Sequence, residues 1–220
     1  MTLQTIELRS KPDDYYSNCR QEMFSYIPQN VKRTLEFGCA DGRFSDSIKV
    51  RYGAECWGVE IDEEAARTAS KKLDKVIHSD ANKSVEQIPD DYFDCIIFND
   101  ILEHLIDPFS LLKSIRTKLT TGGVVVASIP NVRYWSNLKG LVLHGNWNYS
   151  NTGILDKTHL RFFTYKSLLS LFTSLEYEIL KIEGIRPTRS RSLKICNFLF
   201  LNKLWDSKYH QFACVVKPLR

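Results

Sequence analysis

The sequence predicts an α/β domain built on a doubly wound, mostly parallel sheet with an antiparallel edge strand. Three observations carry this expectation. Short apolar runs alternate with helical periodicities from residue 31 to residue 130. The runs at 93–98 and 124–129 are almost continuously apolar, as strands covered on both faces must be. A stretch ending in small residues, Leu35-Glu36-Phe37-Gly38-Cys39-Ala40-Asp41-Gly42, joins the first strand-like run to the first helical one. Right-handed crossovers make such a sheet doubly wound, and ligands bind beyond the carboxyl ends of its strands, near the switch point.

The elements follow in order. A polar, aromatic opening contains a helix over 19–27, with Met23, Phe24 and Ile27 on one face and Pro28 ending it. Residues 31–34 form the first strand, and the small-residue turn then feeds a helix over 43–52. A second strand over 55–60 leads to a helix over 62–73 capped by Asp62. Residues 75–79 and 93–98 give strands three and four, and 108–119 the next helix. Thr121-Gly122-Gly123 reads as a turn into the fifth strand, 124–129. Regularity lapses after Pro130. Thr164 caps a helix reaching 175, and strands at 177–183 and 209–216 form a hairpin-like antiparallel edge interrupted by 186–206.

Composition narrows the class. With 220 residues the chain can bury one sizeable core, and 43% hydrophobic with 25% charged residues is ordinary for a soluble globular protein. A net charge of +4 does not call for nucleic acid, since the basic run at 186–191 supplies much of the excess. The six cysteines form no C-x-x-C pair, and Cys56, Cys95 and Cys214 lie in strand-like runs. Disulfides and zinc are therefore not expected, and a reducing cytoplasm fits. Residues 1–7 do not read as a signal peptide, and no apolar run is long enough to span a bilayer.

Glu60 ends the second strand about 20 residues after the glycine turn, where a carboxylate can bind both hydroxyls of a ribose. The alternative is a helix cap, for which Asp62 is better placed. Asp80 ends the third strand and suits either an adenine amino group or a cap. The spacing of Gly38, Ala40 and Gly42 differs from G-x-G-x-x-G, which disfavours a nicotinamide dehydrogenase.

Taken together, the motif from Glu36 to Gly42, the run Gly58-Val59-Glu60-Ile61-Asp62, Asp80, and the stretch from Phe93-Asp94 through Asp100-Ile101-Leu102-Glu103-His104-Leu105 resemble class I S-adenosylmethionine-dependent methyltransferases. The resemblance covers roughly 31–130. It implies a Rossmann-like sheet of seven strands, with S-adenosylmethionine as cofactor and S-adenosylhomocysteine as product. It places Glu36, Gly38, Cys39, Ala40 and Gly42 at the methionine end, Glu60 and Ile61 on the ribose, and Asp80 and Ala81 on the adenine. Asn99 and Asp100 would line the methionine portion. Ala40 departs from the usual glycine, but one added methyl should leave the loop intact with a slight shift. The sulfonium already carries the activation, so no metal is expected. The protein must align the acceptor with the methyl group, and some residue must take the acceptor's proton.

The runs from Ile129 to Trp135 and from Gly153 to Thr164 resemble bacterial methyltransferases associated with cell-surface polysaccharide and O-antigen synthesis. Tyr15-Tyr16 to Arg20 and Gln211 to Val216 share that resemblance. It implies a single methyltransferase domain over 1–220: an N-terminal cap (1–30), a cofactor-binding core (31–130), an acceptor lid (131–163) and a C-terminal part (164–220) with a basic and apolar insertion at 185–208. The acceptor is then expected to be a sugar or glycan intermediate. A quinone or other aromatic acceptor is the alternative, because 100–105 also resembles quinone-biosynthesis methyltransferases. A non-catalytic S-adenosylmethionine-binding regulator is the alternative of another class.

His104 and His159 compete as the base. Asp156 and Arg161 flank His159, either to orient its imidazole or to build a polar cluster that anchors the insertion. Tyr15, Tyr16, Asn131, Trp135, Asp156 and Arg161 are the expected substrate contacts. Tyr134, Trp135, Trp147 and Tyr149 suit either stacking on a sugar or the core of a lid. The apolar run within 186–205 is expected to cover the sheet edge, form a homodimer contact, or meet an anionic membrane surface with its basic neighbours.

Overall fold

The computed structural model describes residues 20–219. One sheet of seven strands organises them: β1 (Arg33–Phe37), β2 (Glu55–Glu60), β3 (Lys75–His78), β4 (Phe93–Asn99), β5 (Leu119–Pro130), β6 (Tyr177–Pro187) and β7 (Tyr209–Pro218). Their order is β3-β2-β1-β4-β5-β7-β6. Strands β1 to β5 pair in parallel, whereas β7 runs antiparallel to both β5 and β6. The antiparallel edge is thus present, with the reversed strand one place in from β6. The order reverses between β1 and β4, so the crevice of this sheet lies at their carboxyl ends.

The helices are α1 (Arg43–Tyr52), α2 (Glu63–Ala69), α3 (Ala81–Ser84), α4 (Pro108–Ser114), α5 (Trp135–His144), α6 (Tyr165–Ser174) and α7 (Arg191–Leu199). Local chemistry sets their ends. Gly42 enters α1 at φ 81° and Gly53 closes it at φ 65°. Asp62 caps α2 by accepting from the backbone N–H groups of Glu64 and Ala65. Thr164 and Ser167 form a reciprocal capping box at the start of α6. Apolar residues fill both faces of the sheet. Phe37, Phe98, Phe172 and Phe212 belong to one cluster, and Ile48, Cys56, Ile97 and Val126 to the other. Phe37 and Phe98 stack at 4.9 Å across β1 and β4.

Several boundaries differ from expectation. The first strand begins at Arg33 and runs through Leu35, Glu36 and Phe37, because these residues pair with β2 on one side and β4 on the other. The small-residue turn therefore begins only at Gly38. Thr121-Gly122-Gly123 is a bent part of β5, where a register shift against β4 between Phe93 and Cys95 absorbs Gly122 at φ 92°. The opening helix is a 3₁₀ turn over Gln21–Tyr26 that buries Met23. The helix expected over 108–119 ends at Ser114 and continues as a 3₁₀ turn over Ile115–Lys118. The late interruption contains α7, and β6 extends to Pro187.

Candidate active site

The turn after β1 is held tightly against β2. The N–H groups of Gly38 and Cys39 both donate to the Val59 carbonyl, at 2.8 and 3.2 Å. Gly38 adopts φ 65°, and any Cβ there would overlap the Ile101 side chain. A Cβ at Gly58 would likewise run into Cys39. Ala40 takes φ 48°, the left-handed conformation that a glycine would adopt without strain. Its N–H donates to Glu60 Oε2 at 2.8 Å.

Glu60 lies at the end of β2 and is buried. Its Oε1 accepts from the N–H groups of Ile61 and Asp62, at 2.8 and 2.9 Å. Burial raises its pKa, opposed by hydrogen bonds from the backbone of Asp62, Ala40 and Ile61. On β1, the carboxylate of Glu36 is also buried, accepting from Ser45 Oγ at 2.7 Å and from Asn99 Nδ2 at 3.0 Å. Burial pushes it up to about 7. The other amide atom of Asn99, Oδ1, is buried with no hydrogen-bond partner among the described residues. Asp80 caps α3 through Oδ1, which accepts from Asn82 and Lys83 at 3.0 and 3.3 Å, and Ala81 is the first residue of that helix. Burial raises the pKa of Cys39, so its thiol stays protonated.

Asp100 follows β4 at φ 54°. Its carboxylate pairs with Arg20 and accepts from Ser128 Oγ and Gln211 Nε2, both at 2.9 Å. Arg20 in turn donates to Gln211 Oε1 at 3.0 Å. Acidic and amide groups from the ends of β1, β2 and β4, with Asp80 after β3, thus gather at one edge of the sheet. Such a set suits a ligand rich in donors, with ribose hydroxyls and an ammonium. The orphaned Asn99 acceptor is what a methionine ammonium would satisfy.

The insertion brings the two histidines together. The rings of His104 and His159 meet at 4.6 Å and 79°. Thr158 faces His104 Nδ1 with its carbonyl at 3.2 Å and its hydroxyl at 3.1 Å. That hydroxyl donates its proton to Asp156 Oδ1 at 2.8 Å. His159 Nδ1 lies 2.9 Å from the Ile154 carbonyl. Glu103 completes the group, with Oε1 4.0 Å from His159 Nε2. Burial pushes the Glu103 carboxyl up to about 8, with Arg20 opposing and Asp156 reinforcing the shift.

The remaining expected contacts are spread more widely. Asn131 is fully buried and donates its amide to the carbonyls of Asp206 and Tyr209, at 2.9 and 3.0 Å. Both amide hydrogens are thereby used to pin the insertion to the segment before β7. Arg161 is exposed and donates to the Ile106 carbonyl at 2.6 Å, and Asp156 folds back on Thr158. Trp135 begins α5 and donates to Ser192. Trp147 and Tyr149 both pack on Phe162. Tyr15 and Tyr16 lie outside the described residues. Glu103, Thr158, Arg20 and Gln211 were not among the expected site residues. Glu103 has a signal in its sequence next to His104, whereas Arg20 and Gln211 find each other only through the fold.

Comparison with known proteins agrees with this geometry. A family model described as a methyltransferase domain matches residues 10–182. Ubiquinone biosynthesis O-methyltransferase of Aeromonas salmonicida is 33% identical over 106 residues, 46% of this chain and 44% of that protein. Trans-aconitate 2-methyltransferase of Rhizobium etli is 24% identical over 124 residues, 56% of this chain and 48% of that protein. The matches thus span about half the length of these curated relatives. A SAM-dependent methyltransferase structure from Archaeoglobus fulgidus superposes with a TM-score of 0.65 at 20% identity, covering 95% of each chain, which establishes the shared fold. With a family model spanning most of its length and this sheet beneath it, the chain belongs to the methyltransferase domain family, in the class that uses S-adenosylmethionine.

Proposed function

We propose that this chain transfers a methyl group from S-adenosylmethionine to an oxygen of a sugar or glycan intermediate of cell-surface polysaccharide synthesis. The observation that carries the reading is the His104–His159 pair, buried next to Glu103 just beyond the end of β4. In each ring the Nδ1 hydrogen bond favours the tautomer whose lone pair is on Nε2, and such a nitrogen can take a hydroxyl proton. Glu36 and the Asn99 amide would hold the methionine end, Glu60 and Ile61 the ribose, and Asp80 with Ala81 the adenine. Residues 131–163 would act as the acceptor lid over the core of 31–130. The sugar assignment is supported by the sequence resemblance of the 129–135 and 153–164 runs and by the aromatic side chains of the lid.

A quinone or other aromatic acceptor is the second reading. It is favoured by the similarity to ubiquinone biosynthesis O-methyltransferases, one of which shares 33% identity over 106 residues. Incubating the protein with labelled cofactor and either sugar nucleotides and lipid-linked glycans or quinone precursors separates the two. Label in the quinone fraction alone would replace the first reading with the second. No transfer to either, with S-adenosylmethionine still bound by calorimetry, would favour a non-catalytic regulator.

We further infer a work site at the cytoplasmic face of a membrane, reached through the 186–205 segment. Leu193 of α7 is buried, but Ile195, Phe198 and Leu199 are exposed, as are Phe200, Leu201 and Trp205 beyond it. Phe198 is 78% and Leu201 80% accessible, whereas Trp205 packs edge to face on Tyr165 and Tyr209. Arg189, Arg191, Lys194 and Lys203 lie along the same stretch. Cationic side chains beside an apolar surface suit anionic lipid headgroups. No helix among the described residues is long and apolar enough to cross a membrane, so the contact would be peripheral. Sedimentation with phosphatidylglycerol vesicles at low salt should be seen, and its absence together with a concentration-dependent dimer would assign the patch to a second copy.

A further inference from the structure

From their mutual geometry we propose that Glu103, His104 and His159 bind one divalent cation of the first transition row. This departs from the metal-free reading of the sequence and goes beyond the proposed methyl transfer. Each residue offers one ligand atom, and these atoms all lie within 4.8 Å of one another. An ion about 2.1 Å from each nitrogen and oxygen spans ligand separations up to roughly twice that, so modest side-chain shifts close the site.

Two further observations point to a ligand. Glu103 is 1% exposed, and neither carboxylate oxygen has a hydrogen-bond partner among the described residues. A buried carboxylate without donors is costly unless something cationic satisfies it. The guanidinium within electrostatic reach, Arg20, is already paired with Asp100. Among the described residues, Glu103 lies within ion-pair distance only of His159 Nε2, 4.0 Å from Oε1 and beyond hydrogen-bond length.

The second observation concerns the protons on the rings. Thr158 has one hydroxyl proton and gives it to Asp156, so its oxygen can only accept from His104. Its carbonyl, also facing His104 Nδ1, is an acceptor as well. His104 is therefore held with its hydrogen on Nδ1 and a lone pair on Nε2. The Ile154 carbonyl imposes the same tautomer on His159. Metal-bound histidines are oriented in this way, with the far ring N–H donated to a carbonyl or carboxylate-linked group. Here Asp156 stands behind His104 through the Thr158 hydroxyl.

Two imidazoles and one carboxylate favour zinc, manganese or iron over magnesium or calcium. Three protein ligands leave coordination positions open for an acceptor oxygen. If the O-methylation proposed above is correct, the loaded ion would occupy the Nε2 lone pairs and replace their direct role as base: it would bind the acceptor hydroxyl and lower its pKa, with the proton passing to water. The oxygen lone pair would then form the new O–C bond as the C–S bond breaks and leaves its electron pair on sulfur. That role rests on the proposed reaction, whereas the ion site does not.

The test uses the metals themselves and needs no acceptor. Chelator-treated full-length protein is titrated with Mn²⁺, followed by loss of the free-ion EPR signal, and with Zn²⁺ against a chromophoric chelator. One ion per chain is expected, with affinity at least tenfold weaker in Glu103→Gln and in His159→Gln. Both variants should still bind S-adenosylmethionine by calorimetry, which reports that they fold and checks the cofactor assignment separately. In the wild-type protein, pulsed EPR of bound Mn²⁺ should show coupling to imidazole nitrogen, a readout that survives if a variant fails to fold. Absence of stoichiometric binding, or binding without nitrogen coupling, would overturn the site in favour of a protonated Glu103 in a purely structural cluster.

Discussion

His104 and His159 meet edge to face with ring centroids 4.6 Å apart, although one follows β4 and the other belongs to the insertion after β5. Two residues that compete as alternatives in the sequence are thus parts of one buried group. Glu103 joins them through its side chain, and its carbonyl accepts from the N–H groups of Leu160 and Arg161 at 2.8 and 3.0 Å.

Replacing either histidine with Gln should therefore lower the methyl-transfer rate by about 10²-fold or more, the usual scale for losing a proton-transfer group. Affinity for S-adenosylmethionine should change by less than about threefold, because both rings lie outside the proposed donor contacts. Single-turnover rates on the identified acceptor, paired with calorimetry, check both halves. An unchanged rate in both variants would remove the cluster from the chemistry.

Glu60→Ala should weaken S-adenosylmethionine binding by at least about tenfold and also lower thermal stability. The carboxylate accepts from Ala40, Ile61 and Asp62, so its loss strands three backbone donors at the proposed cofactor site. Hydrogen bonds to charged groups contribute about 1.5–3 kcal/mol each when broken singly. Glu60→Gln should retain more of the stability than of the affinity, as measured by thermal melts alongside calorimetry.

Ala40→Gly should stabilise the protein by roughly 0.5–1 kcal/mol. Relief of the left-handed conformation gains about 1–2 kcal/mol, and the greater freedom of glycine in the unfolded chain returns part of it. Gly38→Ala should do the reverse, since its Cβ would overlap Ile101. Urea midpoints at constant slope measure both.

Glu36 predicts a pH dependence with a definite sign. Its folded pKa is raised to about 7 from an ordinary 4.5, so folding favours the neutral acid. That contribution is complete below about pH 4.5 and declines as pH rises through 7. Cofactor-free wild-type protein should lose more stability between pH 5 and pH 7 than Glu36→Gln, by urea unfolding at each pH. Equal slopes for the two proteins would place the burial penalty elsewhere.

The parts legible in the sequence are those fixed by local chemistry. Helix α1 lies between Gly42 and Gly53, and Asp62 caps α2, so neighbouring residues specify these boundaries. Glu36 hides the true extent of β1, because an acidic residue inside a central strand has the local pattern of a loop start. Its buried carboxylate is tolerated through Ser45 and Asn99, the latter distant in sequence. Asn131 is likewise placed by topology: its partners, the carbonyls of Asp206 and Tyr209, are set by where β7 inserts. Local pattern cannot foresee partners chosen by topology.

The position of β7 has a further consequence for how the protein matures. Every strand that carries a proposed donor contact is synthesised before β7, yet Asp100 is locked by Gln211 on β7. Until β7 slides between β5 and β6, the edge of β5 stays unpaired and Asp100 lacks one of its donors. Non-local pairings of this kind form slowly and leave strand edges open to wrong partners. A nascent chain would therefore have the makings of its cofactor cleft well before it could hold that cleft rigid, and a ligand present during refolding should speed recovery by capturing the late-forming state.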